Sequence, residues 1–94
     1  MHVIPSDLNG KDVIAAGAVN VGTVSGIAFE PSTWDVTHII IKLSEKSIET
    51  FGYQKRMLGG VEVRLPTDAV DAVADVIALN RSVDELKTRL VKQP

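Results

Sequence analysis

With 94 residues, 45% of them apolar and 23% charged, the chain has the composition of an ordinary globular protein long enough to bury one core. Ten basic and twelve acidic residues leave a formal charge of −2, which excludes a global attraction to phosphate; a nucleic-acid role would need a local basic patch, for which Lys55-Arg56 is the candidate. There is no cysteine for a disulfide or thiolate metal site, and no uninterrupted apolar run of about 18 residues to cross a membrane as a helix.

Met1 to Pro5 reads as a leading arm without the basic region and apolar stretch of a secretory signal, so the protein is expected inside the cell. Ser6 to Gly10 is a turn cluster that releases the chain into a first strand at about Lys11 to Ala15, anchored by Val13 and Ile14. Ala16 to Asn20 follows as a hairpin connection in which Gly17 and Asn20 are able to take positive φ, and strand two then pairs antiparallel with strand one.

Val21 to Leu43 reads as two strands joined at Pro31 to Asp35, because Val21, Thr23, Ile27, Phe29 and the run Ile39-Ile40-Ile41 are the residue types that suit a pleated, half-buried surface. Val21, Ile27 and Phe29 share one parity and Val24 has the other, so a regular strand would put apolar residues on both faces. A bulge at Ser25-Gly26 resolves this, as does a closed or doubly covered sheet. Strand three, Val36 to Leu43, carries Ile39 and Ile41 on one face and His38, Ile40 and Lys42 on the other, and suits a closed sheet better than an open one.

Ser44 is a suitable N-cap, with Glu45 in the first turn, Leu43 and Ile48 placed for a hydrophobic staple and Gly52 as a stop; these predict a helix over about 45–51. Tyr53 to Gly60 is a basic loop with two large apolar side chains, Met57 and Leu58. Val61 to Leu65 alternates cleanly and reads as a half-exposed strand ending at Pro66. Thr67 to Leu79 admits two readings: an amphipathic helix, from Asp68, Asp71 and Asp75 alongside Val70, Val73 and Ile77, or a helical turn followed by a strand. Ser82 and Glu85 form an S-x-x-E capping box, and Val83, Leu86 and Leu90 line one face of a terminal helix over about 83–91.

Reaction chemistry finds little support. His2 and His38 lack a second ligand at metal spacing, the three aspartates fit a solvated face better than a cation site, and Ser44, Ser47 and Ser82 lack a nucleophile-elbow context. Gly59-Gly60 and Gly22-x-x-x-Gly26 are not phosphate loops. Recognition features are stronger. Trp34, alone of its kind, sits in a turn where it either caps the core or anchors an interface; His38 faces solvent or an interface; and in the basic loop with Lys55 and Arg56, Met57 and Leu58 either fold back over the core or contact a partner.

Three runs, Leu8-Asn9-Gly10-Lys11-Asp12-Val13, Val21-Gly22-Thr23-Val24 and Ile27-Ala28-Phe29-Glu30, resemble the opening of a PRC-barrel domain. Trp34-Asp35-Val36-Thr37-His38, Leu58-Gly59-Gly60 and Asp75-Val76-Ile77-Ala78-Leu79-Asn80-Arg81-Ser82 resemble the short, stand-alone archaeal members, and the similarity runs from about Ser6 to Leu90. The resemblance implies a mostly β fold: one small antiparallel barrel domain over 1–94, with its core at about 6–90 and short helices at about 45–51 and 83–91. It favours a turn at 67–73 followed by a strand at about 75–79.

The family has no shared catalytic residues, so the resemblance implies a non-catalytic adaptor without cofactor. The archaeal members imply a role in FtsZ-based cell division through the membrane-anchoring protein SepF. A homodimer or a paralogous PRC-barrel partner is implied too, with indirect membrane contact in a cytoplasmic protein recruited to the division site. The ribosome maturation factor RimM carries a similar barrel, giving a ribosome-related binding module as the alternative. There the barrel is coupled to another domain, and the acidic balance here offers no RNA surface. Gly26 departs from the acidic or amide residue of many members, and Gly59-Gly60 replaces the more usual single glycine.

Overall fold

The computed structural model describes residues 5–54 and 60–92. A helical turn, α1 (Pro5–Leu8), leads into β1 (Asp12–Ala15), β2 (Val19–Glu30) and β3 (Asp35–Leu43). There follow α2 (Glu45–Thr50), β4 (Glu62–Pro66), a 3-10 turn (Thr67–Ala69), β5 (Val70–Val73), β6 (Ile77–Leu79), α3 (Val83–Leu86) and β7 (Val91–Lys92). The strands form one sheet in the order β5-β6-β1-β2-β3-β4-β7. All pairs are antiparallel except β1 with β6.

The core lies on the concave side of this curled sheet. Val13, Ala15, Val21, Val24, Ile39, Ile41, Val63, Leu65, Ile77 and Leu79 are buried there together with Ile48 of α2 and Leu86 of α3. Alternation explains β3 and β4, where Ile39, Ile41 and Leu43 and then Val63 and Leu65 point inward. Strand β2 needs more. Val24 pairs with Ile41 and Gly26 with Ile40, so Ser25 is an extra residue, and the expected bulge turns Ile27 onto the face of its partner Ile39. A second irregularity makes Val21 extra opposite β1, and a third makes Thr37 extra on β3, where Ala28 pairs with His38 but Phe29 with Val36. Through the third, Val36 shares the Ile39 side although the two differ in parity.

Gly22, inside the second bulge at φ 153°, lies so close to β3 that an added Cβ would sit 2.1 Å from the Lys42 carbonyl oxygen. The β1–β2 connection is Ala16 to Ala18, with Gly17 at φ 92° and Ala18 at φ 65°. The connection is shorter than 16–20: Asn20 is already in β2, where its Oδ1 accepts from the Gly22 N–H at 2.9 Å.

The α2 helix forms as expected, with the Ser44 hydroxyl accepting from the Ser47 N–H and Leu43 and Ile48 both buried. Residues 67–79 follow the turn-and-strand reading, with a further strand: the 3-10 turn runs directly into β5, which makes a hairpin with β6. Four-residue β5 is too short and too exposed to register as a strand in the sequence, where valines three apart mimic a helix.

Two expectations are corrected. The terminal helix is one turn, Val83–Leu86, not 83–91; after Leu86 the chain turns and pairs with β4 as β7. A short helix with one narrow apolar stripe is marginal by itself, whereas Val91 and Lys92 gain a place on the edge of β4. The sheet also does not close into a continuous cylinder, since β5 and β7 are its two ends and are not paired with each other. A side chain bridges the seam instead: Arg89, just before β7, donates to the carboxylate of Asp68, just before β5, while the Asn80 side-chain amide ties the Asp68 carbonyl to the end of β6 at 2.9 Å. The result is a barrel-like, mostly β fold with an open flank.

Candidate docking surface at the hairpin tip

The β2–β3 hairpin reaches past the rest of the sheet, because β4 pairs with β3 only from Lys42 to His38. Its tip is tied by polar contacts within the turn. The Thr33 and Trp34 N–H groups both donate to the Glu30 carbonyl, at 3.2 and 2.6 Å. The Ser32 N–H and hydroxyl reach the Glu30 carboxylate at 3.2 and 3.0 Å. This winding leaves Trp34 in the left-handed region at φ 62°, a conformation that costs a non-glycine residue roughly 1 kcal/mol or more. The strained position aims the indole at Phe29, on which it stacks with ring centroids 5.2 Å apart and planes 13° from parallel.

The stack does not bury the tryptophan. Trp34 is 73% exposed, Phe29 44% and Val36, paired with Phe29, 40%. Three large apolar side chains thus share one surface, which is how an interface anchor differs from a scattered exposed residue. The surface continues inward. Val36 and Thr67 stand at the mouth of a cleft of about 300 Å³ that Leu8, Ile27, Ile39, Val70, Val73 and Ile77 line. This cleft lies between the β2–β3 hairpin on one side and β5 and β6 on the other. A shallower hollow of about 610 Å³ elsewhere is lined by Asp12, Thr23, Lys42, Glu45 and Lys46 among others, residues of both charges with no shared direction.

Of the residues that the sequence singles out, Trp34 stands at this surface. His38 does not join it: with one residue of alternation from Ile39, it projects from the opposite face of β3, half-buried, its Nδ1 2.9 Å from the Thr37 hydroxyl. Lys55, Arg56, Met57 and Leu58 lie outside the described residues. Sequence reasoning missed Phe29 and Val36, which read as core because they belong to β-rich runs. It also missed the contribution of Leu8, Val70 and Val73. The available signal for Phe29 was its place five residues before Trp34 across a tight turn, where the two rings meet.

Among the described residues, no three His, Asp or Glu side chains converge as metal ligands, and no helix is long and apolar enough to cross a membrane. The model of one family, described as the PRC-barrel domain, matches residues 3–86. Comparison with curated proteins finds no match.

Proposed function

The chain belongs to the PRC-barrel domain family, a family of protein-interaction modules, and from that premise we propose that it is a non-catalytic adaptor that docks another protein at the β2–β3 tip. The observation that carries the reading is the aromatic pair Phe29–Trp34, held out of the core by a hydrogen-bonded turn and continuous with an apolar cleft. Such a surface supplies contact area and shape, which suits an adaptor.

The finer reading rests on the likeness to short archaeal members. In it, the domain works in the cytoplasm in FtsZ-based cell division, contacts a SepF-like protein, pairs with a second copy or a paralogue, and meets the membrane only through its partner. Photocrosslinking in cells tests both levels, with the photoreactive residue at position 34 and, as control, at Lys46. Capture of a discrete protein at position 34 and not at 46 is the expected result. A SepF-like or FtsZ-like catch supports the division role; another discrete catch leaves the adaptor and removes that role. Identical patterns from the two positions overturn the docking assignment.

A further inference from the structure

The outer half of the β2–β3 hairpin is a two-stranded ribbon. β4 pairs with β3 only as far as His38, and β1 pairs with β2 over Val19 to Thr23. From Phe29 to Val36 each strand therefore has the other as its sole sheet neighbour among the described residues. A ribbon of two strands has little rigidity of its own in water. The side-chain bonds at its base are long: the Thr37 hydroxyl donates to the Ala28 carbonyl at 3.4 Å, and the Thr67 hydroxyl, from the 3-10 turn, donates to the Val36 carbonyl at 3.3 Å. Hydroxyl donors ordinarily sit at about 2.8 Å.

The ribbon also leaves the sheet at a bend. Thr37 is the extra residue of its bulge, and a bulge kinks the strand that carries it. Alternation puts Phe29 and Val36 on the Ile27–Ile39 side, which is the concave side, and turns Glu30 and Asp35 to the convex one. Bending further toward the concave side carries Phe29, with Trp34 stacked on it, over the cleft that Val70, Val73 and Ile77 bound from the opposite wall. The described lining of that cleft is uncharged, and Phe29, Trp34 and Val36 are themselves exposed. Closure thus removes apolar surface from water on both sides without desolvating a charge.

We propose that residues 29–36 are a lid on the cleft, hinged at the Thr37 bulge, and that the structure holds its open form. In the closed form the Phe29–Trp34 pair lies against Val70 and Val73, and the exposed Thr67–Val36 bond is given up to water. The two forms exchange with comparable populations. Resting on the adaptor reading, the lid regulates the docking surface: a partner competes with closure for the same apolar area and binds only the open fraction, which lowers its apparent affinity by that fraction.

The test is methyl and aromatic NMR of the full chain, free of any partner, with acrylamide quenching of Trp34, the only tryptophan, beside it. In the open form neither Phe29 nor Trp34 lines the cleft. Closure therefore predicts NOEs from the Trp34 indole to the Val70 and Val73 methyls, and ring-current shifts of those methyls that Trp34→Leu abolishes. Val73→Asp, which sets a charge on the wall facing the lid, should hold it open and speed the quenching of Trp34 about twofold, with folding checked by the dispersion of the spectra. Val70 and Val73 methyls that are indifferent to Trp34→Leu overturn the lid, as does quenching that a folded Val73→Asp leaves unchanged; where that variant does not fold, the Trp34→Leu comparison decides. Failure here is separable from failure of the adaptor reading. A ribbon that never closes, in a chain that captures a discrete protein at position 34, refutes the lid and keeps the adaptor, whereas closure without any cellular catch at that position does the reverse.

Discussion

Phe29 and Trp34 stack at 5.2 Å across the tip of the β2–β3 hairpin, and the tryptophan does so from a left-handed backbone conformation that glycine would adopt without strain. Stability and recognition are therefore separable at this position. Relief of the strain offsets the lost stack, worth about 0.5–1.5 kcal/mol, and the loss of an indole that is already mostly in water. Trp34→Gly is expected to change stability by no more than about 1 kcal/mol in urea denaturation while abolishing crosslinking from a photoreactive group at Phe29. A large destabilisation would mean that the indole is a core cap and not an anchor.

Ser25 matters as a residue and hardly as a side chain. Its hydroxyl makes one long contact, 3.4 Å to the Ile40 carbonyl, so Ser25→Ala should cost no more than about 0.5 kcal/mol. Deleting Ser25 removes the extra residue that turns Ile27 toward Ile39, and sends every later β2 side chain to the other face. The deletion is expected to cost several kcal/mol or prevent folding. Near-native stability of the deletion, measured by the same denaturation, would show that the bulge does not set the register.

At Gly22, the backbone of β2 approaches β3 more closely than any side chain allows. An added Cβ would meet main-chain oxygen, which cannot rotate away, and the strand pair would have to separate. Gly22→Ala is accordingly placed at the top of the range for single substitutions, about 3 kcal/mol or more. Gly26→Ala is the control, since its Cβ would find only the Ile40 side chain, 3.6 Å away. Equal melting temperatures for the two variants would contradict this account.

The capping box at α3 gives a pH dependence. The Glu85 carboxylate accepts from the Ser82 N–H and hydroxyl, both at 3.1 Å, and these bonds hold its pKa below the ordinary glutamate value, with the Arg81 charge adding to the effect. Because the folded-state pKa is depressed, the contribution is complete above the unfolded-chain value and is lost as pH falls through the folded one. The window lies on the acid side of about pH 4.3. Carboxyl NMR titration should place the Glu85 midpoint below that of an unstructured glutamate, and Ser82→Ala should raise it. A midpoint that does not move in the variant would remove the Ser82 hydroxyl as a cause and leave the Ser82 N–H, which alanine keeps.

Local signals carried much of this architecture. The Ser44 and Ser82 caps, the clean alternation of Val61 to Leu65 and the parity conflict around Ser25 each follow from bonds or contacts between near neighbours, and all three are legible in the residues alone. Where distant parts compete, the residues are silent. Val83, Leu86 and Leu90 fit a longer helix, but the open edge of β4 lies some 25 residues back in the chain and only the folded sheet brings it to Val91. The same holds for the surface. The chain by itself determined that Trp34 sits in a turn of a β-rich protein with no evident reaction chemistry. Tertiary structure alone decided that Phe29 meets it, that His38 points away, and that Leu8, Val70 and Val73 join Ile27 and Ile39 around one hollow. Periodicity reports which side of its own strand a residue occupies, whereas a shared surface depends on where strands far apart in sequence come to lie.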